Sequence, residues 1–105
     1  MADLKIVDTH THICDPAFDL DRGAVLHKAA AAGVGAIIAV GENMADARRN
    51  IELADKYPTI RPAAGLYPTI LDRDQAEQML AFIRSERSKL VAIGEVGLDF
   101  WVVKE

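Results

Sequence analysis

Short apolar runs, each followed by a stretch of helical character, recur along this chain, and that alternation limits the folds open to it more than any other feature. The runs occupy residues 4–7, 36–40, 60–66 and 90–95. Strand and helix therefore alternate at a spacing of roughly 25 to 30 residues, the pattern of consecutive βαβ units. Parallel strands need long crossovers, and a helix supplies each one. The class is α/β with a parallel sheet. An open doubly wound sheet and a closed eight-stranded barrel both fit, and both place function at the C-terminal ends of the strands.

The first helix is expected after the polar connection of residues 15–21, with Asp19 and Asp21 as candidate N-caps and Val25, Leu26, Ala29 and Ala30 as its apolar stripe. Gly33 is placed to stop it in the left-handed conformation. His27 lies off that stripe and reads as a solvated surface residue. Residues 36–40, ended by Gly41, read as a strand buried on both faces. Asn43 can cap a helix over residues 44–56, which turns Ala47, Ile51 and Ala54 inward and leaves Arg48, Arg49, Glu52 and Asp55 as a charged face. The third strand, 60–66, contains Pro62. Asp72 and Gln75 have the spacing of a capping box, and Ala76, Met79, Leu80 and Ile83 follow at the core-facing positions of a third helix. Met79 is read as core packing, not as a ligand.

With 105 residues, 50% of them hydrophobic, the chain can build one modest core, so residues 1–105 are read as a single unit. The formal net charge of -4 advertises no nucleic-acid surface, although a metal site can attract phosphates locally. One cysteine, Cys14, excludes an internal disulfide and suits a reducing cytosol. It follows the histidines discussed next, and reads either as a thiolate ligand or as an inert thiol beside a turn. No run approaches the roughly 20 apolar residues of a membrane span. The N-terminus lacks a signal-peptide pattern. The expected location is cytoplasmic, with no membrane partner.

The segment Asp8-Thr9-His10-Thr11-His12 closes the first apolar run and holds two of the three histidines. On a strand, side chains two apart share a face, so His10 and His12 would project together with Cβ atoms roughly 7 Å apart and could share one metal ion. A histidine at a strand end is also an ordinary hydrogen-bonded loop residue, so the pair needs a partner. Glu95 closes the fourth run as the histidines close the first. By parity Val91, Ile93 and Glu95 share one face, as Leu4, Ile6, Asp8, His10 and His12 share theirs. A carboxylate at the end of a buried strand is costly unless a cation or hydrogen bonds receive it. A metal spanning the two strand ends would be that cation; otherwise Glu95 caps a turn or pairs with Arg61.

Asp8-Thr9-His10-Thr11-His12, then Gly65-Leu66-Tyr67-Pro68, then Ile93-Gly94-Glu95-Val96-Gly97-Leu98-Asp99, in that order and spacing, resemble the TatD-like metal-dependent deoxyribonucleases of the amidohydrolase-like superfamily. The resemblance runs over nearly the whole chain, and the Gly-Glu-Val-Gly-Leu-Asp stretch is its most specific part. It implies a TIM-type (β/α)8 barrel with a divalent metal centre at its C-terminal mouth, hydrolysing phosphodiester bonds in DNA through a metal-activated water. His10 and His12 would hold one metal, and Glu95 would be a catalytic carboxylate that bridges or abuts two. The ions would be Zn2+, Mn2+ or Mg2+, one or two per complete site. Tyr67 and Asp99 become candidate substrate contacts. Tyr67 stands where the family carries a histidine; it can hydrogen-bond a phosphate oxygen, but titrating near pH 10 it cannot replace that histidine as acid or base.

The family's remaining ligands, two histidines and an aspartate, lie on later strands, so the chain resembles only the first four β/α units, a half barrel. The face meant to line the barrel, including Leu4, Ile6, Ala63, Val91 and Ile93, would then be bare. Leaving about four large aliphatic side chains in water forgoes roughly 6 to 12 kcal/mol, comparable with a domain's whole net stability of about 5 to 15 kcal/mol. A C-terminal half, or a second copy, is expected to cover that face. Alone, the chain is expected to be weak or inactive. Two further functions remain open: an amidohydrolase-type enzyme acting on C–N or ester bonds, and a non-catalytic half-barrel assembly unit.

Overall fold

A computed structural model describes residues 5–103. Strands β1 (Ile6–Thr11), β2 (Val34–Ala39), β3 (Ile60–Ala64) and β4 (Ala92–Ile93) alternate with helices α1 (Arg22–Ala31), α2 (Met44–Lys56) and α3 (Arg73–Glu86). All strand pairs are parallel. The sheet order is β1-β2-β3-β4, so each strand lies beside the next in sequence. A doubly wound sheet reverses direction at a switch point, whereas a barrel advances one way round. The described residues therefore form half of a (β/α)8 barrel.

The caps of α2 and α3 stand where expected, but the stripes are only partly buried: Leu26, Ala47 and Met79 are buried, Ile51 and Ala54 are half-buried with Asn50 and Leu53 taking the inward positions of α2, and Ala30, Ala76 and Leu80 are exposed. The Asn43 side chain accepts from the Asp46 amide and that of Asp72 from the Gln75 amide, with the Gln75 side chain donating back to Asp72. These bonds hold the Asp72 carboxyl below its ordinary value, the Gln75 side chain contributing most. Gly33, just past α1, has φ 104°, a conformation in which a Cβ would be strained. Asp21 occupies the N-cap of α1 without a side-chain bond, and the Arg22 guanidinium at the first helical position donates back to the Ile13 carbonyl. A single 3-10 turn, Pro16–Phe18, interrupts the connection expected to be irregular; Asp15 caps it by accepting from the Ala17 amide.

Packing divides between two clusters on the helix side of the sheet. Ile37, Ala39 and Ile60 meet Leu26, Leu53, Ile13 and Cys14, while Ala64 meets Ala47 and Met79. Met79 is core, as its spacing implies. Burying such side chains contributes about 1.5 to 3 kcal/mol each for the larger ones.

All four strands depart from the expected runs: β1 is Ile6–Thr11 rather than 4–7, β2 is Val34–Ala39 rather than 36–40, β3 stops at Ala64 rather than 66, and β4 covers only Ala92–Ile93 of 90–95. β1 and β4 are the two edges of the sheet, each paired on one side only. β2 is not buried on both faces: Ile37 and Ala39 are buried, but Ile38 is only half-buried. The face assignment of β4 is also corrected. Ile93 is in register with Ala64, which packs on the helix side, and it lines an apolar groove of about 190 Å3 with Met79, Leu80 and Ile83. Ile93 thus faces α3, not the barrel interior. Ile6, Val91 and Ile93 are 57, 52 and 60% exposed, whereas Ala63 is fully buried despite its expected place on the bare face. Leu4 lies outside the described residues. No helix among the described residues is long and apolar enough to cross a membrane.

Candidate metal centre

His10 lies inside β1, three residues beyond the apolar run. Between Asp8 and Thr11 the register slips: these two partner Ile37 and Ala39, so β1 spends one residue more than β2 over the same interval. That is a bulge, and bulges re-aim side chains. The Asp8 carboxylate accepts from the His10 amide at 3.2 Å within it. His12 follows the strand in a turn closed by the Asp15 amide donating to the His12 carbonyl. The two rings sit with centroids 5.3 Å apart and planes at 68°.

Glu95 reaches the same place by a different device. Continuing the period of β4 would set it on Ile93's side, toward α3. Instead the strand has ended, and Glu95 is the only described non-glycine residue with positive φ, at 57°. A left-handed residue with a Cβ costs roughly 1 to 2 kcal/mol. Its carboxylate oxygen Oε1 lies 2.5 Å from His10 Nε2 and 3.5 Å from His12 Nε2. Close packing behind it fixes the turn: a Cβ on Gly65 would overlap the Gly94 carbonyl oxygen.

The Glu95 side chain is only 13% exposed. A carboxylate so placed needs positive charge beside it. Arg61 does not provide it, since its guanidinium turns back to the Pro58 carbonyl. His10, His12 and Glu95 are the group of described residues whose ligand atoms all lie within 4.8 Å of one another. Two imidazole nitrogens and a carboxylate oxygen converging on one point form a donor set that fits a divalent cation such as zinc. Cys14 is not among them. Its thiol approaches the Val40 carbonyl at 3.8 Å, and burial, reinforced by the Asp46 charge, pushes it up to about 11 from 9.0.

Tyr67 and Asp99 stand outside that triad and share another pocket, of about 370 Å3, between the segments following β3 and β4. The Tyr67 amide donates to the Glu42 carbonyl at 2.8 Å. Asp99 Oδ2 accepts from the amides of Val102 and Val103. Arg48 is exposed, and Arg49 pairs with Glu52 at 3.4 Å. Two features escape a reading by periodicity. Arg22, at the first position of α1, is 5% exposed. A polar pocket of about 240 Å3 joins His12 and Cys14 to Asp15, Glu42 and Asp46. Nothing in the residue pattern distinguishes Arg22 from a surface arginine at a helix start.

Comparison with known proteins places the chain in a family. The family model described as TatD related DNase matches residues 7–105. YjjV of Escherichia coli K12, an uncharacterized metal-dependent hydrolase, is 36% identical over 92% of this chain and 39% of its own length. Human deoxyribonuclease TATDN3 is 37% identical over 94% of this chain and 40% of its own. The crystal structure of the Escherichia coli YjjV protein superposes with a TM-score of 0.80 at 36% identity, over 91% of this chain and 38% of that one. The chain thus spans about 40% of the length of these relatives. It belongs to the TatD-related DNase family.

Proposed function

We propose that this chain is the N-terminal half of a (β/α)8 metal-dependent hydrolase that cleaves phosphodiester bonds in DNA. The observation that carries the reading is the convergence of His10, His12 and Glu95 at the C-terminal ends of β1 and β4. Relatives named as a deoxyribonuclease and as a 3'-5' ssDNA/RNA exonuclease support the choice of substrate. His10 and His12 would hold a divalent cation through Nε2, and Glu95 would complete its near side. Held there, a divalent cation would supply Lewis acidity toward a water and a phosphoryl oxygen.

The chain's own residues do the positioning. The bulge at His10 and the left-handed turn at Glu95 would set two of the three ligand atoms before substrate arrives, so that little reorganisation is left for the moment of reaction. Tyr67 can donate its hydroxyl to a substrate oxygen, and Asp99 borders the same pocket. Zinc or manganese suits two imidazoles and a carboxylate, whereas magnesium prefers more oxygen ligands. The remaining length of the protein would cover the bare strand edges, and a second copy is the alternative cover.

The test compares two substrate classes on the full-length protein. Single-stranded DNA and a panel of cyclic amides are offered in the presence of Zn2+, Mn2+ or Mg2+. Hydrolysis of DNA alone is expected. Turnover of the amides without DNA cleavage would transfer the site to C–N chemistry.

A further inference from the structure

The ligands of the centre are unequally supported. His10 belongs to β1, whose ladder to β2 holds it, but His12 lies past the strand, in the segment that leads to the 3-10 turn. Three consecutive carbonyls just after His12 point at one buried guanidinium. Arg22 Nε donates to the Ile13 carbonyl at 2.7 Å, and Nη2 donates to those of Cys14 at 3.4 Å and Asp15 at 2.9 Å. Nη2 also meets Asp19 Oδ1 at 2.9 Å. Arg22 is 5% exposed while Asp19 is 57% exposed, so the fork and not the ion pair is the buried part. A buried arginine is tolerated only where its donors are satisfied, and here nearly all of its hydrogen bonding is spent on the backbone of one loop.

From this we infer that Arg22 is a positioning residue for His12: it fixes the backbone of residues 13–15, and through it the orientation in which His12 meets Glu95 and the metal. The inference rests on His12 being a ligand. Groups that orient a metal-binding histidine typically alter metal affinity by about 10 to 100-fold when removed. A lysine cannot replace the fork, because a single ammonium cannot present three coplanar donors to three successive carbonyls.

A double-mutant cycle on the full-length protein tests this, with Zn2+ affinity read by competition with a chromophoric chelator and folding of the metal-free forms read by thermal melting. Arg22→Lys is expected to weaken Zn2+ binding at least about 10-fold when His12 is present, and by less than about 2-fold in the His12→Ala background, since the effect passes through that side chain. An unchanged affinity in Arg22→Lys, or an equal loss in both backgrounds, would overturn the inference. Should Arg22→Lys fail to fold, Asp19→Asn takes its place. It neutralises the exposed partner of Nη2 while leaving an amide oxygen that still accepts, and is expected to give a smaller loss with the same dependence on His12; no loss, or the same loss without His12, would overturn the inference equally. If His12→Ala alone leaves Zn2+ affinity unchanged, the reading of His12 as a ligand fails, and that result is distinct from the others.

Discussion

Glu95 Oε1 lies 2.5 Å from His10 Nε2, although His10 sits on one edge strand of a four-stranded sheet and Glu95 just past the other. Three inter-strand spacings in a flat sheet would separate them by about 14 Å. Curvature of the half barrel and the turn at Glu95 close that gap. The site is therefore a product of the fold's shape as much as of the residues in it.

The backbone at Glu95 is held in a left-handed conformation, at φ 57°, that a glycine would occupy freely. Comparing Glu95→Gly with Glu95→Ala separates strain from chemistry, since both remove the carboxylate. The glycine variant is expected to be the more stable of the two by roughly 1 kcal/mol, measured by urea denaturation of the metal-free protein, and both are expected to lose metal binding.

Gly65 is close-packed against the Gly94 carbonyl. Adding a methyl group there pushes β4 and the Glu95 turn away from β3. Gly65→Ala is expected to destabilise the protein by about 1 to 3 kcal/mol and to weaken metal binding in parallel. Loss of stability with full metal affinity would show that the turn at Glu95 is set elsewhere.

Burial, and then the Asp46 charge, raise the Cys14 thiol from 9.0 to about 11 in the folded chain. The unfolded chain ionises first as pH rises, so this contribution to stability is fully present below pH 9 and is lost between pH 9 and about 11. At pH 8 the thiolate fraction is roughly 100-fold lower than for a free cysteine. Iodoacetamide should therefore modify the native protein at least that much more slowly than the urea-unfolded chain. Equal rates would mean that Cys14 is not held as the packing implies.

Ile6, Val7, Val91 and Ile93 are each more than half exposed along the two sheet edges. Residues 1–105 expressed alone should consequently self-associate, as sedimentation velocity would reveal. A cooperatively folding monomer would contradict the view that these edges need a cover.

Much of this was legible in the residues themselves. The periodicity of residues 44–56 and the Asp72–Gln75 spacing specify α2 and the start of α3, because caps and apolar stripes act locally. The identities of His10, His12 and Glu95 as candidates follow from residue type at strand ends. Their aim does not. Strand parity sends Ile93 and Glu95 to one face, but the bulge after Asp8 and the left-handed turn at Glu95 break the period of two exactly where the site is built. Ladder register and backbone turns depend on neighbours distant in sequence, and periodicity is blind to both. The role of Arg22 is invisible for the same reason: its partners are carbonyls, which leave no mark on a sequence.

His10, His12 and Glu95 are expected to hold one divalent cation between them. Anomalous diffraction at the zinc edge, from crystals of the full-length protein grown with Zn2+, addresses it directly. A peak is expected about 2.0 to 2.2 Å from His10 Nε2, His12 Nε2 and a Glu95 carboxylate oxygen. A peak on other residues, with these three side chains free of metal, would contradict it.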